Sequence, residues 1–260
     1  METEVPVPDL FRMEAPFVER NIRFDYLSTN NLHEPRSDES QFFTEVSYSF
    51  SDRLGVIVAS PLLLRDNFFG PDTAGFGDLE AGVRYVLLGY KNDDPFKLAL
   101  GLNVAAPTGD VDRELGAGQT FIEPEVLLFQ RVARQTFVQG QFSLGIPTAD
   151  DGSSTEFGWN VGLGYVFTDV AASQYFKFPT AVFELNGGTA LGGFEAGTTV
   201  LDVTSGLRWT IGSKAFGGVA VSVPVTESRE FEAQFIFSVI YRYGAPEEVG
   251  RDPTSSRAYF

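Results

Sequence analysis

The 260-residue chain contains no cysteine and a single histidine. Without cysteine there is no disulfide framework, no thiol nucleophile and no thiolate metal site. His33 sits in a polar stretch beside Glu34, Arg36 and Asp38, a solvated setting rather than a hydrolytic triad or a zinc centre. Positive charge is also scarce, with 19 Lys and Arg against 35 Asp and Glu and a formal net charge of −16. Nucleic acid requires a basic patch, so it is excluded as a partner. No uncharged run reaches the ~18 apolar residues of a membrane helix. The N-terminus, METEVPVPDLF, lacks the basic start and apolar core of a secretory signal, so an exported chain of this sequence is the mature form without a signal peptide. Neither LGGFEAG nor LGAGQT has the residue order of a phosphate loop. No catalytic residue, metal site or cofactor is expected.

What the chain does have is alternation. In Phe76–Thr108, FGDLEAGVRYVLLGYKNDDPFKLALGLNVAAPT, two long runs flank a polar turn. Leu79, Ala81, Val83, Tyr85 and Leu87 share one strand face, and Leu98, Leu100, Leu102, Val104 and Ala106 continue it on the next run. The opposite face carries Asp78, Glu80, Gly82, Arg84, Lys97, Ala99, Gly101 and Asn103. Side chains on a strand repeat every two residues, so this is one apolar face and one small-or-charged face. Each run has about ten alternating residues, the length with which a tilted strand crosses a bilayer.

The pattern recurs along the chain and predicts about twelve strands. The first spans 16–27 and the second 41–50, separated by a long polar loop, STNNLHEPRSDES. A third begins at Leu54, and two more form the hairpin above. A sixth, 120–130, fits worst, because Pro124 interrupts it and Phe129 falls on its polar side, so a bulge is expected there. Six more follow, the last ending at Tyr243. Links after odd-numbered strands are mostly long and rich in Gly, Asp and Ser; most of the others are short, as in SDR, VAR and GSK. Long loops on one rim, short turns and both termini on the other, is the layout of outer-membrane barrels. The expected organisation is an irregular N-terminal leader over 1–14, a barrel over 15–243 and a C-terminal periplasmic tail over 244–260.

A soluble β-sandwich would also give each strand one apolar face. Two features favour an all-β, transmembrane, antiparallel up-and-down β-barrel. The non-apolar face is rich in Gly and Ala, including Gly158, Gly162, Gly164, Gly206, Gly218 and Ala220, as expected where strands curve around a crowded interior. Aromatics also gather where even strands approach the short-turn rim: Tyr48, Phe50, Tyr85, Tyr165, Phe167, Trp209, Tyr241 and Tyr243. A ring with a polar tip suits a membrane interface.

The pieces GFGDLEAGVRY and LALGLNVAAPTGD resemble the outer-membrane family assigned to the meta-cleavage pathway of phenol degradation, a set of transporters. The likeness runs from about residue 40 to Tyr243. The final QFIFSVIYRY is similar to the last strand of bacterial outer-membrane barrels, which the outer-membrane assembly machinery reads. This chain departs from that pattern by continuing for seventeen residues beyond Tyr243. The resemblance implies a bacterial outer-membrane location and transport.

If the polar faces point inward, the lumen is lined by Glu45, Asp78, Glu80, Glu123, Glu125, Glu184 and Asp202, with Arg23, Arg84, Arg208, Arg242 and Lys97 on the same wall. Glu80, Glu123, Glu125 and Asp202 are expected to approach one another in the outer half, with Arg84, Arg208, Arg242 and Lys97 towards the inner rim. Such a wall either seals the barrel with ion pairs or forms a charge-graded passage. The expected function is a passive channel for small solutes, aromatic or apolar compounds among them, embedded in membrane lipid. A sealed structural or surface-binding barrel is the first alternative, and a membrane-embedded hydrolase the weaker one.

Overall fold

The computed structural model describes residues 7 to 244 except 34–35, 92–93, 150–152, 169, 171–175 and 194–195. The strands are β1 (Asn21–His33), β2 (Arg36–Ser49), β3 (Leu54–Asn67), β4 (Thr73–Phe76), β5 (Leu79–Leu88), β6 (Phe96–Ala106), β7 (Phe121–Arg131), β8 (Thr136–Pro147), β9 (Glu156–Val166), β10 (Phe176–Ala190), β11 (Thr199–Ile211), β12 (Ala215–Pro224) and β13 (Ala233–Arg242). Each pairs antiparallel with its chain neighbours, and β1 closes the circle by pairing with β13 from Asn21↔Arg242 to Asn30↔Ala233. The short β4 and the longer β5 pair one after the other along β3, so they make one broken stave. The result is a closed twelve-stranded antiparallel barrel, which leaves no sheet edge to solvate in lipid.

The alternation sorts the side chains as physical chemistry requires. Val83, Leu102, Leu163, Leu207, Val219 and Phe237 are all at least 41% exposed on the outside of the wall. The opposite phase is buried: Gln139, Glu184, Thr204, Arg208, Ser222 and Ser238 are all inside, at 0% exposure. A soluble fold reverses this order, so the medium around the outer face must be apolar.

Three local expectations are corrected. The stretch over 28–40 is not a loop: β1 and β2 run through it as a hairpin, with a register shift near Asn31, whose φ is +54°. Strands of 13 and 14 residues rise about 3.3 Å per residue, far enough to leave the bilayer. Beyond the lipid a strand still needs its ladder but no longer needs an apolar face. Pro124 causes no bulge: β7 keeps one register with β6 and with β8 on either side of it. The first strand begins at Asn21 rather than at residue 16, because 7–20 do not belong to the wall.

Those residues go inside. From Arg20, whose carbonyl accepts from the Tyr243 N–H at the short-turn rim, the chain climbs into the lumen as an irregular segment bent at 11–13 and 16. Leu10, Phe11, Met13 and Ala15 are buried there. Leu10, Phe11 and Met13 pack on inward-facing Phe129, Phe137, Val166, Val182, Ala220 and Ile236. Lower down, Val18 packs on Val86, Ala99 and Leu127. The leader is thus a plug, at least over its described residues. The tail from 245 onwards lies outside the described residues.

Candidate functional site: the plugged lumen

The plug forms neither helix nor strand, so its backbone N–H and C=O groups find partners in the wall. The wall supplies charged ones. The Glu184 carboxylate on β10 accepts from the Phe11 N–H at 2.6 Å and from the Arg12 N–H at 2.9 Å. Arg208 on β11 donates to the Leu10 carbonyl at 2.8 Å and to Ser238 on β13 at 3.2 Å. Arg23 on β1 donates to the Phe11 carbonyl at 2.6 Å, and Arg84 on β5 to the Ala15 carbonyl at 2.8 Å. Gln141 on β8 accepts from the Glu14 N–H at 3.1 Å. In return Arg12 reaches Gln234 on β13 at 2.6 Å and Asp202 at 3.7 Å, and Glu14 pairs with Arg84. Hydrogen bonds with one ionised partner are roughly twice as strong as neutral ones, so six staves grip one short segment.

Small residues make the room. A methyl group on Gly206 would come within 2.7 Å of the Phe11 ring, and one on Gly218 within 2.9 Å; one on Gly162 would collide with Leu10. Lower in the lumen, Phe17 and Phe137 flank Phe129, with ring centroids 5.3 and 5.9 Å away. A crevice between the plug and β1–β5 has about 40 Å³ of room and is lined by Asp9, Glu14, Arg23, Glu45, Gly55 and Arg84 among others. That is room for a few water molecules.

The residues read from the sequence as one wall separate into groups. Arg23, Arg84, Glu184 and Arg208 hold the plug backbone. Glu125, 3% exposed, lies 3.6 Å from Arg84 and accepts from Gln141 at 2.8 Å. Glu45 and Glu80 stand opposite one shared residue of β3, Ala59, and Glu123 is two positions along β7 from Glu125. Asp202 does not join them: it lies on β11, across the barrel, where Arg12, Asn186 and Ser222 take it up. Strand order, which residue height alone does not reveal, separates it from β5 and β7.

Asp78 holds the mouth at the long-loop rim. Its carboxylate accepts from Gly109 at 2.8 Å and Ala117 at 2.7 Å, fastening the loop that carries a 3-10 turn at Val111–Arg113. Leu115 of that loop is buried against Gly75 and Gly77. Lys97 binds the carbonyls of Gly89 and Lys91 at the short-turn rim, and Arg242 pairs with Glu19 at 2.6 Å. Of the aromatics, Tyr48, Phe50, Tyr85, Tyr165, Phe167 and Tyr241 are between 38% and 60% exposed on the outside. Trp209 and Tyr243 are only half-buried; the Tyr243 hydroxyl donates to the Ser47 carbonyl at 2.9 Å. Arg20 and Arg53 lie over the rings of Tyr48 and Tyr90 at 4.5 and 4.0 Å. Among the described residues no group of three or more His, Cys, Asp or Glu is placed to hold a metal ion.

The sequence reading missed the plug and the inward apolar residues that receive it. Phe129 was the visible signal, an aromatic out of phase with its own strand. A second was LFRM, apolar residues inside a leader otherwise punctuated by Pro6, Pro8 and Pro16.

A closed twelve-stranded barrel with an apolar exterior and a charged, occupied lumen has the fold of bacterial outer-membrane channels. Among solved structures, the chain is similar to the COG4313 outer membrane channel from Pseudomonas putida F1, with 12% identity over 92% of this chain and 100% of that one and a TM-score of 0.66. It is similar also to the NanC porin, with 10% identity, 87% and 100% coverage and a TM-score of 0.56. The KdgM porin gives 13% identity, 86% and 99% coverage and a TM-score of 0.54. No family model and no curated protein matches the chain.

Proposed function

We propose that this protein is an outer-membrane channel for passive passage of small solutes, held shut in the present state by its own residues 7–20. The short turns and β13 face the periplasm, membrane lipid surrounds the apolar wall, and the assembly machinery reads β13. The fold shared with porins and an outer membrane channel supports this reading. The observation that carries it is the plug: a lumen filled by a separable segment bound through hydrogen bonds opens when that segment leaves. A barrel meant only to be solid fills its core with wall side chains instead. The aromatic and apolar lining around Phe129 and Phe137 suits solutes with apolar surface, aromatic compounds among them.

Planar-bilayer recording tests this. The full chain should show little current, and a variant lacking residues 2–18 should conduct steadily. Absence of current from both, with each barrel assembled, would overturn the channel reading. The sealed-barrel alternative then gains from the buried pair of Arg84 with Glu125, which stabilises the wall whether or not anything passes.

A further inference from the structure

Phe11 is gripped at every part it offers. Its ring lies in a slot floored by Gly206 and Gly218, where a Cβ would come within 2.7 and 2.9 Å of ring carbons. The Arg208 guanidinium covers that ring, 4.1 Å from its centroid. Its N–H goes to Glu184 at 2.6 Å and its carbonyl to Arg23 at 2.6 Å, while the carbonyl before it takes Arg208 at 2.8 Å. Glu184 and Arg208 are 0% exposed. Arg208 Nε has no hydrogen-bond partner, and Arg23 shares its charge with Asp25 at 2.6 Å. The Glu184 carboxylate stands at the amino side of this residue, the glycine slot and the Arg208 guanidinium sandwich its ring, and the Arg23 guanidinium stands at its carbonyl.

That arrangement is better matched to a free molecule than to a peptide residue. A peptide N–H brings Glu184 a neutral donor, whereas an ammonium brings a charged one. The Phe11 carbonyl brings Arg23 a neutral acceptor, whereas a carboxylate brings two charged oxygens that a guanidinium can hold together. We propose that the Phe11 slot is a solute-binding subsite for a small zwitterion bearing one aromatic ring, an aromatic α-amino acid, and that Phe11 occupies it as an internal surrogate. The ammonium binds Glu184, the carboxylate binds Arg23, and the ring lies on the two glycines beneath the Arg208 guanidinium. Plug and solute then compete for the same groups, so the solute favours the open barrel. This rests on the channel reading only in taking the plug to be displaceable.

The test uses the barrel lacking residues 2–18, in detergent, and titration calorimetry with L-phenylalanine. Binding should be at least about tenfold tighter than for L-alanine, which lacks the ring, or for 3-phenylpropionate and phenethylamine, which each lack one charge. Glu184→Gln should remove the preference for phenylalanine over 3-phenylpropionate, a reversal that a general loss of folding does not produce. Equal binding of phenylalanine and alanine, or no binding by the assembled barrel, would overturn the subsite.

A second measurement keeps the plug attached. The chain has no cysteine, so Met13→Cys in the full chain places one thiol on the buried plug. Phenylalanine should speed its labelling by a water-soluble maleimide several-fold, and alanine should not; equal rates would count against the proposal. Neither readout needs current. A barrel that binds phenylalanine without conducting removes the channel reading alone, and one that conducts without binding removes the subsite alone.

Discussion

Arg84 on β5 lies 3.6 Å from the Glu125 carboxylate on β7 while donating to the plug at the Ala15 carbonyl. One guanidinium therefore joins the wall to its contents. Removing one partner of a buried pair costs about 3–5 kcal/mol, because the other is left uncompensated. Arg84→Gln should lower the temperature at which the barrel loses its folded, fast-migrating form on a gel. Adding Glu125→Gln should restore part of the loss; a double variant less stable than either single one would contradict the pairing.

Val83 and Leu102 are outward on neighbouring strands, 41% and 43% exposed. A cation on the lipid face costs about 2–4 kcal/mol near the bilayer midplane. Val83→Arg and Leu102→Arg should each reduce the assembled fraction in membranes. Normal assembly of both would reverse the assignment of inside and outside.

Strand β13 ends at Arg242, and Tyr243 still donates its N–H to Arg20 and its hydroxyl to Ser47. A chain ending at Tyr243 should therefore assemble with an unchanged folded band on a gel. Loss of that band would assign the tail a structural part in the barrel.

Glu80 and Glu123 belong to the acidic side of the lumen, whereas Glu125 is committed to Arg84 and Gln141. In the barrel lacking residues 2–18, cations should be preferred, and Glu80→Gln with Glu123→Gln should weaken that preference. The effect should fade towards 1 M salt, where the Debye length is about 3 Å. Reversal potentials under a salt gradient measure it; an unchanged preference would remove these two carboxylates from the path.

The barrel was legible because lipid imposes a strict rule. Val83, Leu102 and Leu207 could face only one way, and a period of two carries that information in any single strand. Inward glycines such as Gly162, Gly206 and Gly218 were legible as room, but not as room for anything in particular. The plug was not legible, because an irregular segment bound by other strands needs no period of its own. Asp202 was misassigned for a related reason: height along a strand is written in the sequence, but which strands face each other across a lumen is not. The hairpin over 28–40 was hidden because its polar residues lie beyond the region where lipid dictates composition.

The glycines also determine the shape of an opened lumen. Gly162, Gly206 and Gly218 lie on β9, β11 and β12, a flank whose charged inward side chains are Glu184, Asp202 and Arg208, whereas a denser set projects from β1, β2, β5 and β7. With the plug withdrawn, the vacated space hugs bare backbone on one side and stops short of the charged side. The space is eccentric, with few charges along the glycine flank and many along the other. On the proposed channel reading, a solute in that space would keep one orientation, its flat side against the backbone and its polar edge towards the charges, so two isomers of equal size should cross at different rates.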